Sequence, residues 1–372
     1  MRLETTHSLH PGTALARQVL NEYGQVLINK GVPLTTRMIQ RLQDMGISYV
    51  YVEDARTNDI EIVHPISEQL RRESIQSIND IFNQFDRETN ISHIFIIDEA
   101  SKQLLSLVRK LSDEIYEKKE LVTLLADVFI HDRYIFTHSL NVTLYSIAIA
   151  IHQGYSKKDV EIIALGALMH DVGKMLVPQD ILMKPSKLTE DEFSQIKKHS
   201  SFGFDILRKV NTVSLLVAHC AYQHHERING SGYPRGLKGE EIHPYAKIIA
   251  VADVFDAVTS NRVYRNAMLP HEGLEILYSG VGTLYDVSVV EAFRKAIAIY
   301  PVGLSVILSD GRSGIVSKQN HHISERPVIR ILKENDAHLE VPYEVDLSKH
   351  LDVMISDCDT TLALSHRAFK TS

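Results

Sequence analysis

Ile162-Ile163-Ala164-Leu165-Gly166-Ala167-Leu168-Met169-His170-Asp171-Val172-Gly173-Lys174 is the stretch that decides how the chain is read. Ile162, Ile163, Leu165, Leu168 and Met169 form an apolar helical pattern, and Ser156 is placed to cap that helix. The helix end should present a neutral face. Instead it sets an imidazole beside a carboxylate, with Gly173 and Lys174 following. Alone, a His-Asp pair is a weak signal, because chance supplies many.

Working outward, the pair has company. His138 lies on the helix before, His199 on the next one, and His224-His225-Glu226 ends the helix after that. Asp253 sits inside the apolar run Ile248-Ile249-Ala250-Val251-Ala252-Asp253-Val254, where a carboxylate is costly to bury unless it is paired or metal-bound. Each helix of an antiparallel bundle thus offers an imidazole or carboxylate to a common centre, the way bundles build metal sites. Imidazole and carboxylate without thiolate suit iron, manganese or zinc. The histidines and aspartates together exceed one tetrahedral zinc set and fit two octahedral ions sharing one carboxylate. Two metals roughly 3.5–4 Å apart can bind a bridging hydroxide, clamp phosphate oxygens and stabilise the leaving oxygen of an in-line displacement.

The rest of the chain frames this centre. Its 372 residues are 44% apolar and 23% charged, a globular composition long enough for two or three domains. A net charge of −7 argues against a long nucleic-acid partner, so a polyanionic substrate would need a local basic pocket. Two cysteines exclude a disulfide framework and an all-cysteine metal site. No apolar run reaches the roughly 18 residues of a membrane span. Met1-Arg2-Leu3-Glu4 lacks the apolar core of a signal peptide, so a soluble cytoplasmic protein without a membrane partner is expected.

Residues 1–60 read as a small α+β module of order ββαβ. Its expected strands are Arg17–Leu20, Val26–Ile28 and Ile47–Val52, and its helix runs from Thr35 or Thr36 to Met45, stopped by Gly46. Residues 61–119 read as connecting amphipathic helices, with Ile66, Leu70, Ile75 and Ile78, then Leu104, Val108, Leu111 and Ile115, on one face. That face packs on its own domain or, less favoured, forms a homodimer. Residues 120–300 read as helical, with a capping box at Thr189–Glu192 and caps at Asn211 and Asp286. After Pro301, residues 301–372 read as a small β-rich appendage, with a hairpin at Val306–Leu308 and Gly314–Val316 and a strand at Val328–Leu332.

His170-Asp171-Val172-Gly173-Lys174 resembles the HD-superfamily phosphohydrolase signature, extended as His-Asp-x-Gly-Lys. His224-His225-Glu226-Arg227-Ile228-Asn229-Gly230-Ser231-Gly232-Tyr233-Pro234 is similar to the second signature of the HD-GYP family. Lys184-Pro185, Leu188-Thr189, Glu192, His199, Gly203, Ala252-Asp253, Asp256-Ala257 and Ser260-x-Arg262-x-Tyr264-Arg265 also fall where that family has them. The resemblance covers about residues 120–300. It implies a mainly α protein with a central HD-type helical bundle, flanked by the two smaller modules.

The implied activity is a cyclic-di-GMP phosphodiesterase giving linear pGpG, with GMP as a further product. The resemblance assigns His138, His170, Asp171 and Asp253 to one metal, and Asp171, His199, His224 and His225 to the other, with Asp171 bridging. Iron or manganese is implied as the pair of divalent ions. Lys174 would contact the scissile phosphate or polarise the attack. Some similar proteins carry a third metal on a glutamate four residues before the first histidine. Here that position is Tyr134, so two metals are expected.

On the substrate side, Gly230, Gly232 and Pro234 suit a shaped loop that brings Tyr233 to a guanine or phosphate. Arg262 and Arg265 share a face and suit phosphate oxygens. Glu226 reads as a partner of a ligand or a surface charge. Cys220 reads as a buried inert thiol, and His131, His152, His219, His243, His271 and His321-His322 as surface, core or loop residues. Three rival readings stand: a cyclic-dinucleotide receptor with little turnover, a phosphohydrolase of another nucleotide, and a di-iron oxygenase.

Overall fold

The computed structural model describes every residue except 21–25, 46, 48, 62–64, 86–91, 119–133, 183, 185, 261–267, 321–322, 336 and 359–372. Of residues 20, 82–85, 92–97, 118 and 134–136 it describes the backbone alone. The fold is mainly helical, with small strand-bearing parts at either end of the sequence.

The N-terminal part pairs β1 (Arg2–Thr5) antiparallel with β4 (Tyr49–Val52), and β2 (Val19–Leu20) with β3 (Val26–Ile28). Between β3 and β4 lies α1 (Thr36–Asp44). Thr35 caps α1 by accepting the Met38 amide at 3.2 Å, and Ile39 and Leu42 turn inward. The expected ββαβ order omits β1, which is only four residues long and is recognisable as a strand through its partner.

The helical part begins with α2 (Glu68–Phe85) and α3 (Ser92–Lys118), followed by α4 (Tyr134–His152) and α5 (Lys157–Met169). Next come α6 (Gln179–Leu182), α7 (Glu190–Lys197), α8 (His199–Leu207) and α9 (Leu215–Gln223). It ends with α10 (Pro244–Thr259), α11 (Pro270–Ser279) and α12 (Val287–Ala296). Local chemistry sets these limits. Ser156 accepts the Asp159 amide at 3.2 Å, and Thr189 and Glu192 close a reciprocal capping box. Asp286 accepts from Ser288 at 3.0 Å. The cap expected at Asn211 is instead Ser214, which accepts the Leu216 amide at 3.3 Å. Thr212 is tied to Asp98 and Ser101 of α3, which holds the chain in a turn and delays the start of α9.

α4 packs against α5 and α10, α5 against α9, and α8 against α9 and the 3-10 turn Val172–Leu176 that follows α5. α2 and α3 lie over α4, and α3 also over α5. Leu70, Ile75, Ile78, Leu104, Val108, Leu111 and Ile115 are buried in the same core as Leu144 and Val251. The apolar face considered for a homodimer is therefore covered within the chain.

The C-terminal part is one antiparallel sheet in the order β8-β7-β6-β5-β9. Its strands are β5 (Ser305–Leu308), β6 (Ser313–Lys318), β7 (Val328–Glu334), β8 (Ala337–Asp346) and β9 (Ile355–Cys358). The hairpin turn at Asp310-Gly311 places Gly311 at φ +86°, a conformation open to glycine. The Leu3 amide donates to the Gly303 carbonyl at 2.7 Å and the Tyr51 hydroxyl to the Val302 carbonyl at 3.1 Å. Leu3 and Tyr51 share one core cluster with Leu304, Val306, Ile329 and Val345.

Candidate metal centre

Three helix junctions use the same local device. His170 is the C-cap of α5, His224 is the C-cap of α9, and His199 opens α8 straight after α7. The last carbonyls of a helix lack an intrahelical donor. Each of these imidazoles supplies one: Nδ1 donates to the carbonyl three residues back, at 2.6 Å (Ala167), 2.6 Å (Ile196) and 2.9 Å (Ala221). That bond fixes the tautomer and leaves Nε2 as a bare lone pair.

The three Nε2 atoms converge on Asp171, at 3.3 Å for His170, 3.3 Å for His199 and 3.9 Å for His224. Asp171 is brought there by close backbone contact. A Cβ on Gly173 would lie 1.9 Å from the His199 carbonyl oxygen and 2.5 Å from the Gly203 amide nitrogen. Only glycine lets the turn after α5 seat directly on α8.

His138 comes from α4. Its Nδ1 meets Asp256 Oδ2 at 2.7 Å, and its Nε2 lies 3.1 Å from Asp253 Oδ1 and 3.6 Å from Asp171 Oδ2. Asp256 in turn accepts from Asn141 at 2.9 Å and from Ser260 at 3.1 Å. Asp253 also faces His225, whose Nδ1 is 3.7 Å from Oδ2. All the residues singled out as metal ligands are thus gathered at one place. Their candidate ligand atoms form two clusters within 4.8 Å: Asp171, His199, His224 and His225, and His138, His170 and Asp171. Asp171 belongs to both. Asp253 lies outside both and touches one histidine of each.

Burial and charge favour ligand-competent protonation. Burial pulls His199 down to about 4 and His224 and His225 well below the usual histidine range. Burial alone would raise Asp171, but His170 and Lys174 hold its carboxyl well below the carboxylate range, and His138 and His225 do the same for Asp253. His138 opposes the trend. Burial would lower it, yet Asp253 and Asp256 push it up to about 9.

The donor set passes a further test of fit. His170 Nε2 and Asp171 Oδ1 are buried without a hydrogen-bond partner, a state that costs about 1–3 kcal/mol per group when nothing occupies the lone pair. Both atoms lie in the clusters, so a cation between them satisfies what the protein leaves unsatisfied.

The substrate-side loop is tied down by Glu226. This buried carboxylate accepts the amides of Arg235 at 2.8 Å and Leu237 at 2.9 Å. Glu226 is therefore neither ligand nor surface charge. It staples the loop that carries Tyr233, whose ring stands 4.6 Å from the His225 ring. A Cβ on Gly232 would lie 2.4 Å from the Arg227 nitrogen, so this loop folds tightly against the end of α9. Lys174 donates from Nζ to Asp171 Oδ2. Cys220 is buried, and burial pushes its thiol up to about 12, as an inert core thiol requires. Arg262, Arg265 and His321-His322 lie outside the described residues, as does the side chain of Tyr134.

Sequence reasoning gave no role to Asp256, which sits one helical turn after Asp253 and fixes His138. The signal available was its i+3 spacing from Asp253 on an apolar helix. Asp256→Asn is expected to weaken metal retention by roughly 10–100-fold while leaving the fold intact, since carboxylates behind ligating histidines have effects of that size. Competition with a chelator measures this, and unchanged retention would show that Asp256 only fills space.

Residues 111–289 match the HD domain family, and residues 305–366 match the KOW domain associated with HD domain. The chain carries an HD domain, in keeping with the helical bundle and the paired signature residues. It is 36% identical over 239 residues to a cyclic di-GMP phosphodiesterase of Pseudomonas aeruginosa, covering 64% of this chain and 58% of the relative. A cyclic di-GMP phosphodiesterase of Thermotoga maritima is 38% identical over 203 residues, 54% of each chain. A 3′3′-cGAMP-specific phosphodiesterase of Vibrio cholerae is 38% identical over 168 residues, 45% of this chain and 36% of the relative. The chain thus spans little more than half the length of the first two relatives. Among the described residues no helix is long and apolar enough to cross a membrane.

Proposed function

We propose that the centre holds two divalent cations, iron or manganese, and hydrolyses a cyclic dinucleotide, with cyclic-di-GMP as substrate and pGpG as product. The observation that carries this reading is Asp171, the one residue common to two clusters of ligand atoms. His138, His170, Asp171 and Asp253 would hold one cation, and Asp171, His199, His224 and His225 the other. When bound, the ions would supply Lewis-acid charge for phosphodiester oxygens and lower the pKa of an attacking water.

The chain's own residues supply the rest. His138, His170, Asp171, His199 and His224 are almost fully buried, so bulk water is kept from most of the centre. His225 is the exception at 18% side-chain exposure, and Tyr233 stands beside it. Substrate would therefore approach along the His225–Tyr233 side. Lys174 would bring an ammonium to the scissile phosphate from beside Asp171. Arg262 and Arg265 would hold phosphate oxygens, offsetting the chain's net negative charge locally. The Vibrio cholerae relative acts, by its name, on 3′3′-cGAMP, so a hybrid dinucleotide is the second reading.

Anaerobically purified protein is expected to contain two metal equivalents per chain and to convert cyclic-di-GMP to pGpG, with both lost after chelation and restored by iron or manganese. Metal-replete protein that binds cyclic-di-GMP without releasing product would instead be a receptor.

A further inference from the structure

α7 carries a cation that the metal centre does not use. Lys197 lies two residues before His199 and one helical turn after Phe193, so Phe193 and Lys197 share a face of α7. Its ammonium stands 4.6 Å from the centre of the Phe193 ring and 5.5 Å from that of Tyr233. Tyr233 is the ring already packed against His225, on the side where substrate would approach. Among the described residues no carboxylate lies within ion-pair distance of Lys197. Phe193 is 45% exposed, a large apolar ring left open beside this charge.

We propose that Phe193, Lys197 and Tyr233 form a guanine-recognition subsite at the rim of the centre. The inference rests on the phosphodiesterase reading and names the base that its substrate must carry. Aromatic rings attract a cation but leave the three N–H donors of an ammonium without acceptors. Guanine supplies acceptors at O6 and N7 together with a flat face that stacks on aromatic side chains. Adenine keeps the N7 acceptor but presents an amino donor at the position of O6, so it offers an ammonium one acceptor where guanine offers two. A phosphate would accept from Lys197 but gains nothing from the flanking rings, whereas a base uses both. Lys197 is thereby a specificity-determining residue, and Phe193 a platform indifferent to base identity.

The test compares wild-type protein with Lys197→Met and Phe193→Ala, using cyclic-di-GMP and cyclic-di-AMP for turnover and the linear products pGpG and pApA for calorimetric binding. Metal content is measured in parallel. Lys197→Met is expected to raise KM for cyclic-di-GMP roughly tenfold, the size of one lost charged hydrogen bond, with kcat and metal content unchanged. It should weaken pGpG clearly more than pApA, and so narrow the preference for guanine. Phe193→Ala should weaken both linear dinucleotides alike. If Lys197→Met weakens pGpG and pApA equally, the lysine reads phosphate and the assignment is wrong. If neither changes, Lys197 is a solvated charge and the assignment is equally wrong. Absence of any turnover by the wild-type protein would remove the phosphodiesterase reading separately, and the binding comparison would still decide the role of Lys197.

Discussion

Asp171→Ala protein is expected to bind neither cation and to hydrolyse nothing. Asp171 is the sole carboxylate in either cluster of candidate ligand atoms, so the substitution leaves His199, His224 and His225 without one and leaves His138 and His170 with only the neighbouring Asp253. Hard divalent cations such as manganese favour oxygen donors and hold poorly to histidine sets without one. The carboxylate is also held ionised well below its ordinary range, so at neutral pH its full charge is lost on substitution. The fold should survive. The helix ahead of Asp171 is anchored by Val160, Ile163, Leu165 and Leu168, all buried, and not by the carboxylate. Metal analysis, far-ultraviolet circular dichroism and turnover together decide the matter. A folded variant that keeps two metal equivalents and turns over substrate would defeat the sharing of Asp171. Loss of half the metal would mean that the carboxylate serves one ion.

The second large effect is structural. Gly173→Ala adds a methyl group whose carbon would lie 1.9 Å from the carbonyl oxygen of His199. The obstructing atoms are backbone, so no side chain can swing away, and α8 must shift by more than 1 Å. Overpacking of this kind costs about 1–3 kcal/mol. Displacing a reacting group by about 1 Å can cost roughly 100-fold in rate. The variant should melt several degrees lower and retain less metal, because His199 moves with α8. Thermal unfolding and metal stoichiometry check both effects. A melting temperature and metal content equal to wild type would show that the contact between the turn and α8 is slack.

How much of this was legible beforehand follows from the kind of signal each part emits. The helices announce themselves through local chemistry: Ser156, Thr189-Glu192 and Asp286 cap where their sequence context says they should. His170 and His224 were visible because an imidazole at the end of an apolar helix is out of place, and His199 because it lies on the helix between them. The carbonyl bonds that set their tautomers are local too, but they needed coordinates, since spacing alone does not aim a ring. Asp256 was missed as a positioning residue because its effect crosses from α10 to α4. Lys197 carries no signal in the sequence, because only the folded loop brings Tyr233 beside it. β8 was missed although Leu339, Val341, Tyr343 and Val345 alternate with polar residues, because Pro342 inside the run argues against a strand and is tolerated here only at the sheet edge.

The contact of Leu3 and Tyr51 with the far end of the polypeptide has one more consequence. Tyr51 and Val302 are 251 positions apart yet hydrogen-bonded, and the apolar residues around them form one interior. A truncation made at the composition break near Pro301 would therefore uncover side chains of both terminal pieces at once. The helical bundle is framed by a clasp whose halves are synthesised 251 positions apart, so the half around Tyr51 must wait for the strands after Val302 before its outer face is sealed.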